Sequence, residues 1–220
     1  MEEKTNLGLY YNAKRSLYRM SEMRKKLILG LIPEYSGDIL EIGCGRGEFA
    51  QILKSQGHHV TGVDISESAL KEAAPFLKQS FAINVEQKWP QTLCDMRFDT
   101  VIASEVIEHI FDPDYLLHQI HDVLTNDGTL ILTTPNFLFW KNRLRMLLGK
   151  FKYEEKGLLD FGHIRFFALA TMRKAISENH FLIEKEAHYY PNLFHRKLNF
   201  MGRYFPGLFA YQMIFRCRKL

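Results

Sequence analysis

The chain has 220 residues, of which 46% are hydrophobic and 25% charged, and its net charge is +4. These values are those of a soluble globular α/β domain, and so weak a positive charge does not by itself indicate nucleic-acid binding. Cys44, Cys94 and Cys217 have no CxxC spacing, which argues against a zinc site or a disulfide framework. With no signal-peptide run and no bilayer-spanning stretch, we expect a cytoplasmic protein, with attachment to the inner face of a membrane left open.

Hydrophobic periodicity predicts strands that alternate with helices along the chain. An amphipathic helix is expected at 13–32, ended by Pro33. Strands are expected at 38–43, 59–65, 81–85, 98–104 and 129–134, with helices at 47–57, from about Ser66, at 113–124 and at 168–179. Two closing strands are expected near 181–190 and 208–216. This pattern is typical of a parallel sheet covered on both faces.

No linker or repeat divides the chain, so we expect one domain over 1–220. Within it, residues 1–37 would form an N-terminal helical cover and 136–167 a lid insertion between the fifth and sixth strands.

A glycine-rich turn follows the first expected strand, in Glu41-Ile42-Gly43-Cys44-Gly45-Arg46-Gly47. Three glycines in five residues let the backbone bend sharply and lie close against a ligand. A nicotinamide dinucleotide site requires a small residue three positions after the second glycine, where this chain has Glu48. A bulky negative side chain beside a pyrophosphate is unfavourable, so a cofactor without phosphate fits better.

This turn resembles the first motif of class I S-adenosylmethionine-dependent methyltransferases, and four further segments extend the resemblance over roughly residues 38–190. The resemblance implies a Rossmann-like seven-stranded sheet of order 3-2-1-4-5-7-6, with the last strand antiparallel and helices on both faces. It also implies S-adenosylmethionine as cofactor, bound beyond the carboxyl ends of the strands. The cofactor-binding positions that it implies are Glu41, Gly43, Cys44, Gly45, Gly47, Asp64, Ile65, Asn84, Val85, Ser104 and Glu105.

The resemblance assigns a part of the cofactor to each strand end. Asp64, which ends the second strand, would accept hydrogen bonds from the ribose hydroxyls, although nicotinamide enzymes use an acid at the same place. Asn84 and Val85 would contact adenine, and Ser104 and Glu105 the methionine part. For Asn84 and Ser104, a turn or helix-cap role is equally open.

The segment Glu105-Val106-Ile107-Glu108-His109 carries most of the information about mechanism. Residues i, i+3 and i+4 share one face of a helical turn, so both carboxylates and the imidazole are expected to converge. Two carboxylates repel each other unless a cation or a proton separates them. With His163 as a fourth ligand, the set suits Mg²⁺, Mn²⁺, Fe²⁺ or Co²⁺.

This ExxEH segment with a later histidine resembles two metal-dependent O-methyltransferase groups, one acting in ubiquinone synthesis and one on the terminal ribose of small RNAs. The segments SEVIEHI and GHIRFF also resemble a broad set of bacterial methyltransferases, and GHIRFF together with the C-terminal stretch resembles those of bacterial glycan assembly. The resemblances imply O-methylation of a hydroxyl on a small molecule or saccharide, in quinone or glycan biosynthesis, with or without a divalent metal. In the metal-free alternative, His109 or His163 is a general base and Glu108 caps a turn or forms a salt bridge. A buried structural histidine is a further alternative.

Residues 137–153 of the lid insertion mix large apolar side chains with five cations and no acid. An ordinary amphipathic lid helix over the substrate is the favoured interpretation, although such helices also bind anionic membranes or RNA. The expected partner is a small-molecule or saccharide acceptor and not nucleic acid, while peripheral membrane contact and the oligomeric state are left open.

Three other functions remain as alternatives to O-methylation. They are metal-free N- or C-methylation, a catalytically silent protein that binds S-adenosylmethionine, and a nicotinamide oxidoreductase, which Glu48 disfavours.

Overall fold

The computed structural model describes residues 20–191 and 202–220. The strands are β1 (Asp38–Ile42), β2 (His59–Asp64), β3 (Gln79–Ala82), β4 (Phe98–Ser104), β5 (Leu124–Pro135), β6 (Phe181–Tyr189) and β7 (Gln212–Lys219). The helices are α1 (Glu22–Leu29), α2 (Glu48–Ser55), α3 (Glu67–Ala73), α4 (Gln91–Cys94), α5 (Pro113–Val123), α6 (Trp140–Leu147), α7 (Leu169–Glu178) and α8 (Pro206–Phe209). Short 3₁₀ helices lie at Ala74–Phe76 and Ile107–His109.

All seven strands belong to one sheet of order β3-β2-β1-β4-β5-β7-β6. The first five strands pair in parallel, whereas β7 runs antiparallel to both of its neighbours, β5 and β6. The predicted strand order and the antiparallel last strand are therefore confirmed. The central strand β1 pairs with β2 on one side and β4 on the other, which is the point where the chain direction across the sheet reverses.

The core has two layers, one on each face of the sheet, because side chains alternate along each strand. On one face, Leu40 and Ile42 of β1 belong to a cluster that includes residues of α5 and α7. On the other face, Ile39 belongs to a smaller cluster with residues of α1 and α2. Burial on both faces explains why the parallel strands are almost continuously apolar in sequence.

Four element boundaries differ clearly from those predicted. The fifth strand, expected at 129–134, spans Leu124–Pro135. The helix expected at 13–32 is described from Glu22 to Leu29 and begins after Ser21, whose Oγ accepts from the Arg24 amide; residues 13–19 lie outside the described residues. The third strand, expected at 81–85, ends at Ala82 because a turn held by the Asn84 side chain follows. The last strand starts at Gln212 instead of 208, since Pro206 opens the helical turn α8.

The lid insertion contains α6, whose one buried residue is Asn142. Its helix is present as predicted, but its leucines do not pack into the core as those of an ordinary amphipathic helix would. Across residues 20–191 and 202–220, no helix combines the length and the apolar character needed to cross a membrane.

Packing between α2 and α3 gives a test of the fold. Gly47, before α2, has a φ of 78°, and a Cβ there would lie 3.0 Å from the Cβ of Ala73 in α3. Gly57, which follows α2, has a φ of 91° and no atom within 4 Å of such a Cβ. Both alanine variants carry left-handed strain of about 1–2 kcal/mol, and Gly47→Ala adds about 1–3 kcal/mol of overpacking.

We therefore expect Gly47→Ala to lower the free energy of unfolding clearly more than Gly57→Ala, as measured by urea denaturation. Equal losses in the two variants would contradict the close approach of α2 and α3.

Candidate functional site

The loop between β1 and α2 forms a glycine cradle, defined as Gly43, Gly45 and Gly47. Their φ angles are 71°, 53° and 78°, a left-handed region in which other residues are strained. A Cβ on Gly43 would lie 2.8 Å from Cγ2 of Val106, whereas a Cβ on Gly45 would meet no atom within 4 Å. The cradle is therefore packed from below at Gly43 and open at Gly45, as a ligand-binding backbone requires.

Asp64 lies at the end of β2, directly beside this cradle. Its Oδ2 accepts from the Gly45 amide at 2.9 Å and its Oδ1 from the Ser66 amide at 2.8 Å. Ser66 in turn caps α3 through the Ala69 amide. Ile65 is partly buried between these two residues. The carboxylate is thus held at a fixed position relative to the cradle.

Glu41 lies in β1 below the cradle and is buried. Burial, reinforced by the nearby Asp64 charge, raises the pKa of the Glu41 carboxyl to about 8, and a hydrogen bond from the Ala50 amide only partly offsets this. Its Oε2 has no hydrogen-bond partner among the described residues. The group therefore holds a proton at neutral pH and is able to donate it in a hydrogen bond.

The sequence left two alternatives for Asn84, and the structure shows the turn role. Its Oδ1 accepts from the Glu86 amide at 3.0 Å. The neighbouring Val85 carbonyl accepts from the side chains of Trp89 and Gln119, which fixes this loop at the carboxyl end of β3. Contact of Asn84 and Val85 with adenine stays a prediction.

Cys44 is buried, with its Sγ packed toward Gly62 of β2.

Glu105 follows β4 and forms a buried polar network. Its carboxylate accepts from Arg24 of α1 at 2.7 Å, from the Thr133 hydroxyl at 3.2 Å, and from Gln212. Arg24 also donates to Gln212. Ser104 lies beside the network, with its Oγ 3.0 Å from that of Thr133 and no role as a helix cap.

Arg24, Thr133 and Gln212 were missed from the sequence. Arg24 is one of several cations in the predicted first helix, and Gln212 lies 107 residues from Glu105. No local motif distinguishes them.

Glu108, His109 and His163 form a second group, here called the Glu-His cluster. One ligand atom of each residue lies within 4.8 Å of the others. The imidazole centroids are 4.9 Å apart, and Nε2 of His163 is 4.0 Å from Oε1 of Glu108. The three residues that the sequence analysis assigned to the site of chemistry therefore lie together. In sequence, 54 positions separate His109 from His163.

Glu105 is not a member of this cluster. The expected helical turn is a 3₁₀ helix that starts only at Ile107, and Glu105 precedes it with a φ of 57°. The left-handed residue turns its side chain toward Arg24, so the i, i+3, i+4 face does not form. A role of Glu105 as metal ligand stays a prediction that requires release from Arg24.

Backbone carbonyls orient both imidazoles. Nδ1 of His109 is 2.8 Å from the Gly162 carbonyl, and Nδ1 of His163 is 3.3 Å from the Leu158 carbonyl. A carbonyl only accepts, so the neutral imidazoles carry their protons on Nδ1 and keep Nε2 as an acceptor. Burial lowers the pKa of His109, against the opposing effect of the Gly162 carbonyl, which favours this neutral form.

Glu108 is almost completely buried, and neither carboxylate oxygen has a hydrogen-bond partner among the described residues. Burial raises its pKa well above the ordinary value, and the Glu105 charge adds to this effect. Its backbone carbonyl accepts from the amides of Ile164 and Arg165, both at 3.0 Å, which joins the cluster to the lid insertion. A buried carboxylate facing imidazole acceptors requires a proton or a cation between them.

Comparison with known proteins identifies the family of the chain. Residues 11–186 match a family described as "Methyltransferase domain". The chain is 30% identical to a ubiquinone biosynthesis O-methyltransferase of Rickettsia felis over 127 residues, covering 54% of this chain and 52% of that protein. It is 29% identical to the Coxiella burnetii protein of the same name over 153 residues, covering 67% and 65%. The chain thus spans between half and two thirds of these relatives.

Two solved structures share the fold. Magnesium protoporphyrin IX methyltransferase from Synechocystis, with bound SAH, has a TM-score of 0.67 at 17% identity, covering 99% of this chain and 100% of that one. A SAM-dependent methyltransferase from Archaeoglobus fulgidus has a TM-score of 0.66 at 19% identity, covering 96% and 99%.

The raised pKa of Glu41 predicts a pH-dependent effect of Glu41→Gln on stability. The folded pKa of about 8 exceeds the ordinary value of 4.5, so the stability that the carboxyl contributes is complete below about pH 4.5 and is lost as the pH rises through about 8. The difference in melting temperature between Glu41→Gln and the wild type should therefore shift in favour of the variant between pH 5 and pH 9. Glu34→Gln, at an exposed position, is the control and should give a flat difference. A flat difference for Glu41→Gln would show that the carboxyl ionises without cost.

The Arg24–Glu105 pair predicts a large effect of Arg24→Met. Both side chains are nearly buried, so removing the guanidinium leaves an uncompensated carboxylate and should cost about 3 kcal/mol of unfolding free energy in urea. Arg24→Met with Glu105→Gln should recover part of this loss. The control is Arg46→Met, which breaks an exposed pair with Glu72 and should cost under about 1 kcal/mol. Similar losses for the two arginine variants would contradict a structural role for the buried pair.

Proposed function

Because the chain belongs to the class I S-adenosylmethionine-dependent methyltransferases, we propose that it methylates a hydroxyl group of a small-molecule acceptor, with assistance from a divalent cation. The observation that carries the proposal is the Glu-His cluster: a buried carboxylate without hydrogen-bond partners faces two imidazoles that present Nε2. The cluster lies after β4, at the carboxyl edge of the sheet that also holds the glycine cradle.

The residues at the cradle fit S-adenosylmethionine, which when bound supplies an electrophilic methyl group on a sulfonium centre. The open side of Gly45 allows close approach to the backbone, and the Asp64 carboxylate beside it is able to accept hydrogen bonds from ribose hydroxyls. The protonated Glu41 adds a buried donor without adding negative charge. No pyrophosphate has to be accommodated beside Glu48, which pairs with Lys25.

The Glu-His cluster fits a divalent cation. One carboxylate and two imidazoles are a donor set for Mg²⁺, Mn²⁺, Fe²⁺ or Co²⁺, and the carbonyls behind Nδ1 orient each ring as a ligand. A cation there, when bound, would lower the pKa of a hydroxyl oxygen that coordinates it. The chain itself contributes the orientation of the rings and a water-poor environment around Glu108.

The surroundings of the cluster favour an acceptor with an apolar or aromatic ring. Glu108 and His163 lie against Pro135, Phe137 and Phe166 in a closed crevice, which an acceptor would enter only after these side chains move. The relatives that act in ubiquinone biosynthesis support a phenolic, quinone-type acceptor. A saccharide hydroxyl is the alternative acceptor, supported by the resemblance of GHIRFF to enzymes of glycan assembly.

A second candidate mechanism needs no metal. The lowered pKa of His109 keeps its Nε2 unprotonated at neutral pH, as a general base requires. In that case Glu108 stays protonated, and N- or C-methylation becomes as compatible with the site as O-methylation.

Turnover experiments separate these mechanisms. We expect Glu108→Gln and His163→Ala to lower kcat by about 10²–10⁴-fold, the range for loss of a group acting at the reacting oxygen, with affinity for S-adenosylhomocysteine unchanged. Formation of S-adenosylhomocysteine is measured with catechol and with free sugars as acceptors, and affinity by calorimetry. His118→Ala, an exposed histidine of α5, is the matched control and should keep full activity.

Metal removal gives the decisive comparison. Treatment with EDTA should abolish turnover, and Mn²⁺ or Mg²⁺ should restore it in the wild type but not in Glu108→Gln. Full activity in EDTA together with an inactive His109→Ala variant would contradict the metal-assisted mechanism and support His109 as a general base. Full activity of all three cluster variants would refute the assignment, and binding of S-adenosylhomocysteine without turnover on any acceptor would favour a silent binding protein.

A further inference from the structure

The first part of the lid insertion has an exposed apolar surface, here called the lid tip and defined as residues 140–153. Its large apolar side chains protrude from α6 and the segment after it, and Leu147 is 82% exposed. Leu148 and Phe151 are more than half exposed, and Leu144 nearly so. Exposed apolar residues clustered on one short segment are typical of an interaction site, because isolated ones are common but contiguous patches are not.

The same segment is strongly basic. Between residues 140 and 153 there are five cations and no acid: Lys141, Arg143, Arg145, Lys150 and Lys152. Arg145 pairs with Glu154 at 2.7 Å, and Arg143 donates to the carbonyls of Leu138 and Gly207. Lys150 and Lys152 flank the exposed Phe151, and among the residues that the structure describes neither forms an ion pair. Leucines next to lysines form an apolar surface bordered by positive charge.

We propose that the lid tip docks onto an anionic lipid surface. Aliphatic side chains enter the apolar region of a bilayer while lysines reach the negative headgroups, which is the arrangement of interfacial membrane helices. The cores of protein interfaces are depleted in lysine, and binding to single-stranded nucleic acid relies mainly on aromatic stacking, whereas the two most exposed apolar side chains of the lid tip are Leu147 and Leu148. The combination of charge and aliphatic surface therefore favours lipid over a protein or RNA.

The lid tip is also connected to the Glu-His cluster. The rings of Phe151 and Tyr153 are 5.3 Å apart, and those of Tyr153 and Phe161 are 5.4 Å apart. Phe161 is exposed and precedes Gly162, whose carbonyl holds His109. A row of three aromatic rings thus leads from the docking site to Phe161, next to the backbone carbonyl that holds His109. Delivery of a membrane-dissolved acceptor along it rests on the proposed function, whereas docking itself does not.

Sedimentation of the full chain with lipid vesicles tests the docking. We expect binding to vesicles of phosphatidylcholine mixed with phosphatidylglycerol, at least about tenfold weaker binding to pure phosphatidylcholine, and weakening by salt. Leu147→Ser with Leu148→Ser, and separately Lys150→Glu with Lys152→Glu, should each reduce binding about tenfold or more. All four positions are exposed, so circular dichroism should show unchanged folding.

Matched controls separate the lid tip from general charge and surface effects. Lys71→Glu with Lys88→Glu makes the same change in net charge at exposed positions elsewhere, and Leu182→Ser removes an exposed leucine of β6. Both should keep wild-type binding. Equal binding to the two kinds of vesicle, or equal losses in the controls, would overturn the proposal. It would also be overturned if the leucine variants kept vesicle binding but lost self-association or RNA binding.

Discussion

The pairing of β1 with both β2 and β4 determines where every candidate group lies. Glu41 of β1 is opposite Gly62 of β2 on one side and Ile102 of β4 on the other. Because these strands are parallel, their carboxyl ends open at one edge, and the segments that follow them leave toward different faces. The glycine cradle, Asp64 and the Glu-His cluster all follow from that edge. A shift of one residue in this register would move each group to the opposite face of the sheet.

The same edge collects two buried acids and one that is nearly buried, and each has a different environment. Glu41 is neutralised by a proton, because burial raises its pKa to about 8. Glu105 is neutralised by Arg24 and by hydrogen bonds from Thr133 and Gln212. Burial raises the pKa of Glu108 as well, but neither of its carboxylate oxygens has a hydrogen-bond partner among the described residues. Since a buried charge is costly unless it is paired, Glu108 is the acid at which a ligand gains most by supplying charge.

The sequence predicted the features that depend on local pattern. The alternation of strands and helices follows from the apolar runs, and the cradle follows from three glycines in five residues, whereas the strand order was implied by the resemblance to a known family. Contacts between distant segments were not predictable, because Arg24 meets Glu105 across 81 positions. The left-handed φ of Glu105 is equally non-local, since a residue of this type adopts it only when surrounding contacts compensate the strain. The sequence therefore identified the members of the Glu-His cluster correctly but not the separation of Glu105 from them.

Hydrogen bonds join the lid insertion at residues 162–165 to the Glu-His cluster, and these bonds restrict which part of the insertion is able to move. The Glu108 carbonyl accepts from the amides of Ile164 and Arg165, and the Gly162 carbonyl fixes His109. Arg165 also donates to the Phe111 carbonyl and stacks over the Phe111 ring at 5.1 Å. Displacing the base of the lid would break these bonds and release the orientation of the imidazole. Opening of the lid for an acceptor therefore has to occur before residue 162, in the segment toward the lid tip, if the cluster is to stay assembled.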